Sequence, residues 1–118
     1  MRDHTKLRAF ELADQLALGI YRITREFPRE ELFGLTSQLR RAAVSIASNI
    51  VEGSTRQSTA EYLRFLEIAY GSAHEVEYQL SLANRLGYLS EANHCEIGAL
   101  ATENCKVLNG LLRSLRQS

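Results

Sequence analysis

The stretch Leu35–Gly53, LTSQLRRAAVSIASNIVEG, constrains what this chain can fold into more than any other. Apolar residues recur at Leu39, Ala43, Ile46 and Ile50, the spacing that lines up on one face of an α-helix. A second stripe of Gln38, Ser45, Asn49, Glu52 and Arg56 lies about 110° further round the same helix. The middle is rich in small residues: Ala42, Ala43, Ser45, Ala47 and Ser48. A helix with one oily face and one ordered polar face must meet two different environments. Gly53 is expected to end it as a C-terminal cap, because glycine tolerates the left-handed conformation.

Three more helices are read around this one. The first is expected over Leu7–Phe27, with Phe10, Ala13, Leu16, Ala17, Ile20, Tyr21 and Thr24 on its core face. Leu12 and Ile23 widen that arc beyond the roughly 100° that a bundle helix needs, which suggests a second contact such as another subunit. Pro28 stops this helix, and Leu32 and Phe33 in the connection to Gly34 are expected to plug the bundle end. Ser58 and Glu61 have capping-box spacing for a third helix. Its seam of Tyr62, Leu66, Ala69, Ala73, Val76, Leu80 and Ala83 is the cleanest periodicity in the chain. Gly71 lies almost opposite that seam, where a glycine implies close approach of a neighbouring backbone. Gly87 ends the third helix and Ser90 caps a fourth, whose core face holds Ile97, Leu100, Ala101, Val107, Leu108, Leu111 and Leu115. Asn104, in the middle of that face, is read as a register-fixing residue. Links this short only reverse direction, so the expected fold is all-α, one antiparallel up-down-up-down four-helix bundle over residues 1–118.

Charge narrows the choice of partners. Lys and Arg total 14 against 14 Asp and Glu, so no global field advertises nucleic acid or a membrane. The bias towards Arg over Lys leans towards subunit or partner contacts. No apolar run reaches the roughly 18 residues of a membrane span, and MRDHTKLR lacks the apolar core of a signal peptide. Two cysteines make no disulfide framework, so a reducing cytoplasmic setting is expected.

Catalytic chemistry finds little footing. His74-Glu75-Val76-Glu77-Tyr78 begins like a zinc-protease HExxH but has Tyr where the second His belongs. His94 and Cys95 are adjacent and point about 100° apart on a helix. Neither Cys95 nor Cys105 has a paired His in the sequence pattern, and the glycines are too scattered to cradle a phosphate. No enzyme, metal or cofactor is expected. The remaining signal is polar: Arg40, Arg41, Ser45, Asn49, Glu52, Arg56, Ser72 and Glu75 are candidates for a partly buried network or an interface. Arg25, Arg29, Arg40, Arg41 and Arg56 are the best local concentration of cations for a nucleic-acid contact, expected to be weak.

The motifs RRAxxSIxxNIxEG, starting at Arg40, and IAxGSxxE, starting at Ile68, together with Phe27-Pro28, Phe33-Gly34 and Arg56, resemble the four-helix bundle family of 23S rRNA intervening-sequence proteins. The likeness spans nearly the whole chain; Val51 stands where Ala is usual and Tyr70 where a basic residue is frequent. The resemblance implies a closed pentamer of small helical subunits. It also links the chain to accessory proteins of diversity-generating retroelements, which engage a reverse transcriptase and nucleic acid but look strongly basic, unlike this neutral chain. The resulting expectation is a non-enzymatic oligomeric scaffold that engages a protein or nucleic-acid partner. A small-molecule or cofactor-binding bundle, using the channel of a ring, is the alternative.

Overall fold

The structure is a computed structural model that describes residues 2–117. Four helices carry the chain: α1 (Arg8–Thr24), α2 (Leu35–Ser54), α3 (Thr59–Arg85) and α4 (Glu91–Arg116). Short 3-10 turns at His4–Lys6 and Arg29–Glu31 precede α1 and α2. Each helix packs on its neighbours in chain order, α1 closes against α4, and neither diagonal pair comes together among the described residues. That is the square of an up-down-up-down bundle. The body measures 44 × 23 × 19 Å, and its length is that of α3, about 40 Å at roughly 1.5 Å per residue.

Caps set both ends of α3 and the start of α4. Ser58 Oγ accepts from the Glu61 N–H at 3.1 Å, and Ser90 Oγ accepts from the Asn93 N–H at 3.1 Å. Gly87 has φ +82°, the left-handed conformation that closes α3. The seam of α3 is buried throughout, from Tyr62 to Ala83, against Leu39, Ala43, Ile46 and Ile50 of α2 and Ile97, Ala101 and Leu108 of α4.

Several expectations are corrected. α1 stops at Thr24, whose hydroxyl turns back to the Ile20 carbonyl at 2.7 Å. Its core face is rotated: Leu12 and Ile23 are buried, while Tyr21 is exposed and Phe10 and Ala17 lie partly buried. α1 sits between α2 and α4, so the wide arc is used inside this chain and by itself calls for no second subunit. Leu32 and Phe33 do not plug the bundle end; Phe33 is 95% exposed. The plug is Phe27, whose ring lies 5.4 Å from that of Tyr88. Gly53 lies inside α2 with no positive φ, and a Cβ there would stand 2.8 Å from Phe65 Cβ. Its role is close packing of α2 on α3. Asn104 is fully buried, but its amide donates to the Leu100 carbonyl of its own helix at 3.4 Å, so no hydrogen bond to another helix supports the register reading.

Candidate functional site

The polar stripes of α2 and α3 meet along one seam. Ser45 Oγ and Ser72 Oγ are 2.9 Å apart, a hydrogen bond that joins the two helices. Asn49 Nδ2 donates to the Ser45 carbonyl at 2.8 Å and to its hydroxyl at 3.0 Å. Two turns along, buried Gln79 donates to Gln38 Oε1 at 3.5 Å and to Glu75 Oε2 at 3.4 Å. The helical period explains the alignment: residues four apart on each helix face the same neighbour, so two stripes of short polar groups bond across the seam. Gln38, Arg41, Ser45, Ser72 and Glu75 line an open groove of about 330 Å³ above it. Ser48, Val51, Glu52 and Arg56 line a second groove further along α2, of about 590 Å³.

Of the residues read as one network, only part is joined. Ser45, Asn49 and Ser72 form one hydrogen-bonded group, and Glu75 belongs to a separate one with Gln79 and Gln38. Glu52 and Arg41 are exposed and enter none of these hydrogen bonds. Arg40 leaves the seam for α1: its Nε donates to Thr24 Oγ1 at 2.9 Å, and its guanidinium lies 4.7 Å above the Tyr21 ring. That contact accounts for the outward turn of Tyr21. Arg56 stacks 4.8 Å over Phe65, and Arg2 donates to the Arg56 carbonyl at 2.7 Å.

The five arginines proposed for nucleic acid do not make one patch. Arg25, Arg29, Arg40 and Arg41 gather where α1 ends and α2 begins. Arg56 lies past the other end of α2, about 23 Å from Arg41 at the rise of an α-helix. Arg25, Arg29 and Arg41 are exposed, whereas Arg40 and Arg56 spend their faces on aromatic rings.

A further cluster was not legible in the sequence. Glu77 Oε1 accepts the Cys105 thiol at 3.2 Å and stands 3.3 Å from His74 Nδ1, while Thr102 Oγ1 donates to Glu77 Oε2 at 3.1 Å. Burial, then the hydrogen bond to Glu77 and its charge, push the Cys105 thiol up to about 12. The thiol is therefore protonated at neutral pH, the opposite of an activated nucleophile. No sequence window could show this, because the pair Glu77 and Cys105 is separated by 28 positions and joined only by the register of α3 on α4.

No helix is long and apolar enough to cross a membrane. No functionally curated protein matches the chain. A crystal structure of a protein of unknown function from the S23 ribosomal protein family of Bacteroides thetaiotaomicron is similar in fold and sequence, at 28% identity with a TM-score of 0.81. The likeness covers 89% of this chain and 95% of that one. The model of the 23S rRNA-intervening sequence protein family matches residues 5–110. The match covers most of the chain, and the chain belongs to the 23S rRNA-intervening sequence protein family.

Proposed function

We propose that this chain is a non-enzymatic, cytoplasmic subunit of a closed homopentamer, a scaffold that engages a protein or nucleic-acid partner. One observation carries the reading: the outward stripe Ile68, Gly71, Glu75 and Tyr78 of α3. These residues fall within about 80° of one another round the helix. Ile68 is 43% exposed and Tyr78 61%, unusual for large apolar side chains aligned on one face. Between them, a Cβ on Gly71 would meet nothing within 4 Å in this chain. That bare backbone leaves room for another chain to lie close. Exposed Val44 on α2 adds apolar surface, and exposed Arg41 and Glu52 supply charges for the rim. A closed ring covers such a face on every subunit without leaving sticky ends.

Light scattering coupled to size exclusion at micromolar concentration tests the assembly. The expected mass is about five times the 13.3 kDa of the chain. Gly71→Leu should dissociate it while helicity stays native, since no atom of the same chain stands in the way. A monomeric wild type overturns the proposal.

A further inference from the structure

We propose that His74, Glu77 and Cys105 form a binding site for a divalent transition-metal ion of the zinc class, tying α3 to α4. One donor atom from each residue lies within 4.8 Å of the other two. Ligands of a tetrahedral zinc stand about 2.0–2.3 Å from the ion, hence about 3.3–3.8 Å from each other. Two of the three separations are already close to that: 3.2 Å between Cys105 Sγ and Glu77 Oε1, and 3.3 Å between His74 Nδ1 and the same oxygen. The third closes by a swing of His74, whose side chain is 52% exposed and whose ring packs edge-on against Tyr70 at 4.6 Å.

The donors select the ion. Thiolate, imidazole and carboxylate together suit zinc and its neighbours in the first transition row, whereas magnesium and calcium prefer oxygen alone. On binding, the Cys105 thiol gives its proton to solvent and the cation takes the place that the proton held between sulfur and Glu77 Oε1. Glu77 is held for this: Thr102 Oγ1 fixes Oε2 at 3.1 Å, leaving Oε1 turned to the other two ligands. Within 4.0 Å, His74 is the one ionic partner of Glu77 among the described residues, so no Lys or Arg already neutralises it. Two helical pairs one turn apart build the site, His74 with Glu77 on α3 and Thr102 with Cys105 on α4. The ion's way in is past His74, which is 52% exposed, while an open cleft of about 340 Å³ reaches Glu77 and Thr102 from the side of His94 and Cys95. Three protein ligands leave a fourth position for water.

Titration of the reduced full chain with Co²⁺ tests this. One equivalent per chain is expected, with thiolate-to-cobalt charge transfer in the near ultraviolet and the intense visible bands of a four-coordinate ion. Cys105→Ser should remove the charge transfer, and Zn²⁺ should displace the cobalt. Thr102→Val should weaken binding about tenfold, and Glu77→Gln and His74→Ala by more. Cys95→Ser should change nothing. Because His74 is exposed, His74→Ala keeps the test open even if Cys105→Ser fails to fold, with helicity followed by circular dichroism. Absence of charge transfer in the wild type, its survival in Cys105→Ser, or its loss in Cys95→Ser overturns the site.

Discussion

Ser72 is where the polar seam reaches the core: it is 9% exposed and shares a hydrogen bond with Ser45 across two helices. In Ser72→Ala that bond is lost, but Ser45 Oγ still receives the Asn49 amide at 3.0 Å. The expected loss is therefore one ordinary hydrogen bond, about 0.5–1.5 kcal/mol, read from denaturant midpoints. Glu52→Ala should move stability by less than about 0.5 kcal/mol, because the carboxylate is exposed and outside the seam. Equal effects of the two substitutions would remove the distinction between seam and rim. Glu31 makes a second residue-scale prediction. Its carboxylate accepts the Leu35 N–H at 3.1 Å and the Tyr88 hydroxyl at 2.8 Å. The first bond, then the second, hold its pKa below the ordinary carboxylate value. A lowered folded pKa means that this contribution is complete above the ordinary value and is lost as pH falls through the lowered one. Glu31→Gln should consequently flatten the acid limb of the melting-temperature profile. Parallel acid limbs in wild type and variant would show that Glu31 carries none of it.

At the scale of the helices, Gly53 gives the sharpest expectation. Replacing a helical glycine by alanine gains up to about 1 kcal/mol in backbone propensity, and less in the last turn of α2, where Gly53 lies. Here the new methyl would stand 2.8 Å from Phe65 Cβ and 3.3 Å from Tyr62 Cδ1, and the first of these atoms is tied directly to the α3 backbone. Overpacking of that kind costs about 1–3 kcal/mol, so Gly53→Ala should lower the melting temperature despite the better propensity. A rise would mean that α2 and α3 can separate freely. The same comparison shows what the sequence could disclose. The α3 seam was legible because one regular repeat of apolar residues admits one buried face. The α1 face was not: Tyr21 counts as apolar in a pattern, yet its ring is needed outside as a platform for Arg40. Phe33 misled for a similar reason, since Glu31 spends the 3-10 turn on capping α2 and leaves Phe33 outside. The two polar stripes were visible as spacing, but the partner of each hydroxyl depends on register between helices. Cys105 beside Glu77 and His74 lies wholly in that second category.

For the molecule as a whole, charge and placement set what nucleic acid could gain from it. Binding to phosphates is driven by release of counterions, and affinity falls with salt in proportion to the cations engaged. The chain has net charge +0, and the five candidate arginines are divided between the two ends of α2. Arg40 is also occupied by Thr24 and Tyr21, so the free cations at that end are Arg25, Arg29 and Arg41. Glu26 and Glu30 stand beside them in the chain and dilute the field. Repetition round a ring would multiply a weak patch, which raises avidity without creating a strong site. Generic RNA or duplex DNA should therefore bind with a Kd no tighter than about 10⁻⁶ M near physiological salt, the range of sequence-independent contacts. Arg25→Glu with Arg41→Glu should abolish that binding while leaving the fold intact, because both side chains are exposed. Arg40→Glu is the poorer choice, since it also breaks the α1–α2 contact. Fluorescence anisotropy across a salt series measures both affinity and slope. A nanomolar Kd that persists in added salt would place a recognition surface where the charge distribution shows only scattered cations.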